Sequence, residues 1–415
     1  MWGMRKGPRK GIRLGTLLFC VALIPPSFSQ QPAPDKPQAS PETLMRRAEV
    51  RQVEALLPKL ADRGAGLFFL SRRYAQLGEV DKSLAALKEC LALDEGFDPS
   101  DVPQFEPLRA NPEFRTLATE AAAHYLPVHQ ARVAYTIPQK DLFPEGLAVD
   151  PGRKVFYLGS MLHKKILRIA EKGEASDFVP PDASLAEPNG IKVDPQDHGL
   201  WVATGDEHAS ELVHFDSQGK LLERFRPPEP GPHELNDLVI HNGSEIFVTD
   251  TLAHQVYRWN RQLGRLLPMS FHRPLLYPNG IALSEDSAWL YVADILGVIQ
   301  VDLKDYSTRE VDPGKHSTLA GIDGLYWHKG SLVGVQYGNG PYRVARWRLE
   351  RDGKTVKSTE VLEYRTPLIS SPTTGAILGK NFYFIANSGV ENYKDGKAVD
   401  PTKLEPIQIA VIELD

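Results

Sequence analysis

The sequence predicts a mainly β protein, a six-bladed β-propeller preceded by a small α-helical domain of tetratricopeptide-like type. Three observations carry this reading. A short phrase recurs six times at a spacing of roughly 45 residues, the length of one propeller blade. Between its copies, apolar and polar residues alternate with period two, as half-buried strands require. Upstream of the first copy the periodicity turns helical.

Residues 1–29 form a unit of their own. Arg5, Lys6, Arg9, Lys10 and Arg13 precede an apolar run over residues 14–24, which Pro25-Pro26 ends. Ser27 and Ser29 place small residues before a cleavage at Gln30, the layout of a secretory signal peptide. The run is about a dozen residues, too short for a membrane-spanning helix. A lipid anchor through Cys20 is disfavoured by the bulky Phe19. The expectation is an exported protein, periplasmic or extracellular, with no transmembrane span in the mature chain. Losing this segment, with its five basic and no acidic residues, takes the formal charge from −5 to −10. Such a surface repels phosphate backbones and argues against nucleic-acid binding. It also leaves Cys90 as the one remaining thiol, so no intramolecular disulfide is expected.

Residues 30–40 are proline-rich and polar and read as a linker. From 41 to 126 a helical domain is expected. Leu67, Leu70, Tyr74 and Leu77 mark one helical face, Val80, Leu84, Leu87 and Leu91 a second, with Gly78 between them. This helix–glycine–helix unit resembles one tetratricopeptide repeat, although Ser83 and Cys90 stand where alanines are usual and Glu95 replaces the closing proline. A lone repeat cannot bury its own apolar face, so more helix, from 43–60 and 113–125, should pack on it. Helices of this kind dock partners, which makes a protein partner through this domain the corresponding expectation.

The propeller is assigned to 131–415. Its phrase reads PEGLAVDP from Pro144, PNGIKVDP from Pro188, LNDLVIHN from Leu235, PNGIALSE from Pro278, IDGLYWHK from Ile322 and, degenerately, PTTGAIL from Pro372. The third strands of successive blades include KKILRIA, ELVHFDS, QVYRWNR, GVIQVDL and YRVARWRL, and the last is the C-terminus, IQIAVIELD. That blade lacks an outer strand, which residues 131–137 can supply, closing the ring and removing two edges.

The second letters of the phrase are Glu145, Asn189, Asn236, Asn279, Asp323 and Thr373. A radial fold brings such equivalent positions to the axis. Carboxylates at Glu145 and Asp323, forced together without a partner, would push each other's pKa up. With the amide oxygens of Asn236 and Asn279 they form a hard, doubly negative oxygen set, suited to Ca2+ better than to the tight Mg2+ octahedron, with Mn2+ left open. The competing reading is a buried carboxylate pair neutralised by lysine or arginine, yet no basic residue recurs beside the motifs. Asn189-Gly190 and Asn279-Gly280 read singly as turn formers. Asp206, Asp237, Asp250 and Asp294 either support the ligands from behind or serve as strand-end turn residues. His163, His208, His254 and His328 could reach the mouth but share no repeat position. Trp201, Trp289 and Trp327 read as inter-blade core. Asn242-Gly243-Ser244 fits a hairpin turn as well as a glycosylation acceptor.

The phrases FPEGLAVDP, ELNDLVIHNGSEIFVTDT, YPNGIALSEDSAWLYVADI and GIDGLYW resemble, in order, the four metal-ligand motifs of the gluconolactonase/regucalcin family of six-bladed propellers, with paraoxonases and diisopropyl-fluorophosphatase as more distant kin. The resemblance covers residues 141–415. It implies Glu145, Asn236, Asn279 and Asp323 as ligands of one calcium ion, and calcium-dependent hydrolysis of a small lactone or related ester. The chain departs from the paraoxonase pattern twice. Asn189 stands where those proteins carry a basic histidine, and Gly146 where they carry an Asp for a second calcium. The base is then expected at Asp323, taking a proton from water or attacking directly, while Asn189 orients the substrate. Two rival readings are a non-catalytic, metal-braced binding module and a lyase or synthase of the strictosidine-synthase type. Intact Glu145 and Asp323 argue against the second.

Overall fold

The computed structural model describes residues 39–181, 185–206, 209–338, 340 and 342–415. The signal segment 1–29, the linker up to residue 38 and His208 lie outside the described residues. Each repeat of alternating sequence folds into one antiparallel four-stranded sheet. Blade 1 spans 147–179, blade 2 188–225, blade 3 235–268, blade 4 281–310 and blade 5 322–364, with a short fifth strand, Val128–His129, added to blade 5. Blade 6 combines Gly375–Leu378, Asn381–Ile385 and Ile407–Glu413 with the upstream strand Arg132–Ile137. Val133 pairs with Ala410 and Ile137 with Ile407, so the two ends of the fold share one sheet. The innermost strands neighbour one another in a closed circle, which makes the molecule a six-bladed propeller.

Alternation puts one face of each blade against the next. Trp201, Ala203 and Leu212 of blade 2 pack on Leu238, Val248, Tyr257 and Trp259 of blade 3, and Trp201 is 1 % exposed. Trp289 and Trp327 border the equivalent layer between blades 4 and 5. Burial of these layers is the main stabilising term. Asn242 and Gly243 both adopt left-handed backbone, φ 49° and 61°, between strands Leu235–His241 and Glu245–Asp250. That is the geometry of a two-residue hairpin turn.

The helical segment contains α1 (Pro41–Leu56), α2 (Arg63–Gln76), α3 (Val80–Ala92) and α4 (Pro112–His124). Asp62 caps α2 by accepting the Ala65 N–H at 2.9 Å, and Asn111 caps α4. Gly78, at φ +74°, turns the chain from α2 into α3. Phe68, Leu87, Cys90, Phe105 and Phe114 form the buried seam between the helices. Cys90 is a free buried thiol. A second set of contacts joins the helices to blades 4 and 5. The outer oxygen of Asp62 accepts the Thr318 hydroxyl at 2.7 Å and the Leu319 N–H at 2.9 Å, and Glu310 accepts the Ala61 N–H at 2.7 Å. Val53, Phe69 and Leu70 pack on Leu276 and Leu296. Much of the apolar face that the sequence offered to a partner is therefore covered by the chain's own propeller. Among the described residues no helix is long and apolar enough to cross a membrane.

Candidate metal centre

All six motif positions fall at the same end of the innermost strands. Asn189, Asn236 and Asp323 lie in the first residues of strands Pro188–Val193, Leu235–His241 and Ile322–His328. Glu145, Asn279 and Thr373 sit two residues ahead of Leu147–Asp150, Ile281–Leu283 and Gly375–Leu378. Neighbouring blades are stitched together at this level. A Cβ on Gly146 would lie 2.7 Å from the Asn189 carbonyl oxygen, on Gly190 2.3 Å from that of Asn236, and on Gly280 2.6 Å from that of Asp323. Thr249 donates its hydroxyl to the Asn279 carbonyl at 2.8 Å, and Thr374 donates to that of Glu145, closing the circle. The turn reading of Asn189-Gly190 and Asn279-Gly280 is thus corrected. Neither glycine has a left-handed φ, and each is small because the next blade's backbone touches it.

The oxygens of this ring are short of partners. Asn279 donates its Nδ2 to Asp323 Oδ1 at 2.7 Å. Asn236 Oδ1, Asn279 Oδ1 and Thr373 Oγ1 are buried without a hydrogen bond. Each such atom costs on the order of 1–3 kcal/mol. Neither Glu145 nor Asp323 is ion-paired among the described residues. Glu145 keeps some surface open to the channel but is otherwise enclosed. Burial, followed by the charges of Asp323, Glu234, Asp237 and Glu391, pushes its pKa well above the ordinary carboxylate range. Burial also pushes Asp323 up to about 7, against the Asn279 hydrogen bond and with the charges of Asp237 and Glu234. Two crowded carboxylates, two orphaned amide oxygens and a hydroxyl, with no histidine or thiolate, fit a hard divalent cation. The channel lysine that could have neutralised the pair, Lys192, is bound instead to Asp237 Oδ1 at 2.6 Å.

The remaining sequence candidates take different places. Asn189 is buried and donates Nδ2 to the Leu235 carbonyl at 3.0 Å. Asp206 pairs with Lys164 at 2.6 Å and borders a cavity of about 570 Å3 together with Glu234 and His233. Asp250 accepts the Glu234 N–H at 2.9 Å, the Ala253 N–H at 3.0 Å and His233 at 2.7 Å. Asp294 is gripped by Arg273 and accepts the N–H groups of Leu276 and Leu296. Asp250 and Asp294 therefore shape the loops that lead into Asn236 and Asn279, through backbone bonds. His163 pairs with Asp141 at 3.1 Å, and His254 accepts the Tyr277 N–H at 3.0 Å. His328 ends the strand that begins at Ile322, so roughly 3.3 Å per residue carries it to the opposite face, and it cannot reach the mouth.

Three residues near the ring carry no repeat signal. Glu234, just ahead of the third motif, is pushed up to about 7 by burial and by the charges of Asp250 and Glu187. Glu391 lies in the insertion of blade 6, where Tyr342 and Ser371 donate hydroxyls to it. Tyr337 is raised to about 12 by burial, then by the charges of Glu391, Asp323 and Glu145. A separate group at the other end of blade 2, Asp194, Asp197 and His214, brings its ligand atoms within 4.8 Å of one another. Asp194 there already accepts the Gln196 N–H at 2.8 Å and the Trp201 indole at 3.1 Å.

No protein-family profile matches the chain, and no curated protein sequence does. Solved structures do. Regucalcin from Agrobacterium tumefaciens str. C58, described as a calcium-binding protein, aligns with a TM-score of 0.50 at 15 % identity, over 70 % of this chain and 98 % of its own. A gluconolactonase from Xanthomonas campestris aligns with a TM-score of 0.48 at 19 % identity, over 71 % and 93 %. Virginiamycin B lyase from Staphylococcus aureus aligns with 0.45 at 16 %, over 61 % and 80 %. The structural neighbours thus include gluconolactonase- and regucalcin-like six-bladed propellers. Likeness at such identity establishes the fold and nothing finer.

Proposed function

We propose that this chain is an exported, calcium-dependent hydrolase of a lactone or related ester. The observation that carries the reading is the axial ring, two enclosed carboxylates with no ion-pair partner among the described residues, beside orphaned amide oxygens. Glu145, Asn236, Asn279 and Asp323 would hold the cation, with Thr373 Oγ1 as a further neutral oxygen. When bound, that cation supplies Lewis-acid polarisation of a carbonyl oxygen. Asp323 takes the proton from water approaching the carbonyl carbon, the general-base role open to an ionised carboxylate of the ring. Asn189, held by Leu235, orients the substrate from across the ring. Asp206, Asp250 and Asp294 support the mouth by fixing its loops. Export rests on the signal layout of residues 1–29.

The test combines metal analysis with a panel of lactones and aryl esters. Chelation should abolish hydrolysis and added Ca2+ restore it. Asp323→Asn should keep the fold and lose turnover by at least a hundredfold. Tight calcium binding with no hydrolysis across the panel would favour the binding module instead. Full activity of Asp323→Asn overturns the assignment of the base.

A further inference from the structure

Between α2 and the upper mouth lies a cavity of about 610 Å3. Its walls are largely aromatic and aliphatic, with Phe69, Tyr277, Tyr337 and Ile369 among them, and its volume suits a small organic ligand. It adjoins the ring, because Tyr337, which lines it, donates its N–H to the Gly321 carbonyl at 2.9 Å, two residues before Asp323. Three arginines face it, and two are already matched. Arg73 pairs with Glu49 at 2.7 Å, and Arg365 with Asp98. Arg72 is different. It donates to the Gly338 carbonyl at 2.8 Å and rests over the Phe68 ring at 5.1 Å, and no carboxylate pairs with it among the described residues. Burial, reinforced by the charge of Arg73, pulls its pKa down to about 9. A guanidinium has five donors, and most of this one's remain to be used.

We propose that this cavity is the substrate pocket and that Arg72, contributed by the helical domain, binds a carboxylate on the substrate, making the protein selective for acidic lactones or esters. This rests on the hydrolase reading for the reaction, though not for the binding. A planar carboxylate matches the guanidinium fork with two parallel hydrogen bonds, and a poorly solvated site strengthens them. The other end of the cavity sets the ligand's direction. Glu391 there repels an anion, so the charged end turns to Arg72 and the neutral carbonyl end to the ring. Asp101 also borders the cavity, but it is exposed and screened by solvent. The helices then have a task in specificity that the propeller alone cannot perform.

The experiment uses the full chain loaded with Ca2+ and two probes, 4-phenylbutyrate and its neutral amide, in calorimetric titrations. Wild type should bind the carboxylate at least tenfold more tightly than the amide. Arg72→Gln should erase that preference, and Arg72→Lys, which keeps the charge but not the fork, should retain only part of it, with circular dichroism showing the helices intact. Asp323→Asn should keep the preference, which separates this claim from the catalytic one. On lactones that are hydrolysed, Arg72→Gln should raise KM tenfold or more for carboxylated substrates, a much larger change than for their neutral counterparts. Equal binding of both probes by wild type, no binding of the carboxylate, or an unchanged preference in a folded Arg72→Gln protein overturns it.

Discussion

Buried carboxylates occur both at the rim of blade 4 and on the propeller axis, and the protein treats them in opposite ways. At the rim, Asp294 is 1 % exposed and matched on every side. Arg273 reaches both of its oxygens, at 2.6 and 3.1 Å, and two backbone N–H groups complete it. Burial opposes the charge on Arg273, yet Asp294 and Glu310 hold its pKa above the ordinary value. On the axis, Glu145 and Asp323 crowd together with only an amide donor between the second of them and Asn279. The rim is a finished ion pair. The axis is an oxygen cage without an ion-pair partner among the described residues, and this contrast distinguishes the two sets of acids more clearly than burial alone.

Removing the partner at the rim should have the largest effect. Arg273→Met strands Asp294 and Glu310 and should cost about 3–5 kcal/mol in chemical denaturation. A loss below about 1 kcal/mol would mean the rim pair is not what distinguishes the two regions. The same operation on the axis should have the opposite sign. In chelator at pH 8, Glu145→Gln removes a carboxyl whose ionisation the folded ring opposes and should stabilise the protein by roughly 1–2 kcal/mol. It should also abolish the rise in melting temperature that Ca2+ gives wild type. If the chelated variant melts below chelated wild type, the axial charges are compensated by something within the chain.

The smallest and sharpest test is pH. Both axial carboxylates have folded pKa values above their unfolded ones, Asp323 near 7 and Glu145 higher than usual. The stability they contribute is then fully present below about pH 4 and is lost as pH rises, for Asp323 through about 7 and for Glu145 through its own raised pKa. The melting temperature of the chelated protein should fall between pH 5 and 8, while the Ca2+-loaded protein falls less. Taking the difference between the two removes the matching contribution of Glu234, which also titrates near 7. A difference that stays constant with pH would break the electrostatic account of the ring.

Most of the architecture was legible because it is written locally and repeated. Period-two alternation marks each strand, and a phrase repeated once per blade marks each blade, so the convergence of Glu145, Asn236, Asn279 and Asp323 follows from register. Taken apart from that register, Asn189-Gly190 is ambiguous, since a turn and a crowded strand both favour glycine; a Cβ on Gly190 would lie 2.3 Å from the Asn236 carbonyl oxygen. His328 shares no repeat position, and only the strand Ile322–His328 shows that a full strand length separates it from Asp323. Glu391 and Tyr337 carried no signal, because they lie in connections that differ from blade to blade. Asp237 sat beside a motif residue, and only the structure reveals that Lys192 holds it.

By itself, the amino-acid sequence determined the number of blades, the strands within them and which oxygens meet on the axis, because these depend on short-range periodicity summed over equal repeats. The tertiary structure alone decided that α2 packs on the loops of blades 4 and 5, that Arg72 borders a cavity there, and that Asp250 and Asp294 brace loops. Those placements depend on packing between segments up to hundreds of residues apart, and no local pattern encodes which distant surface a helix will bury.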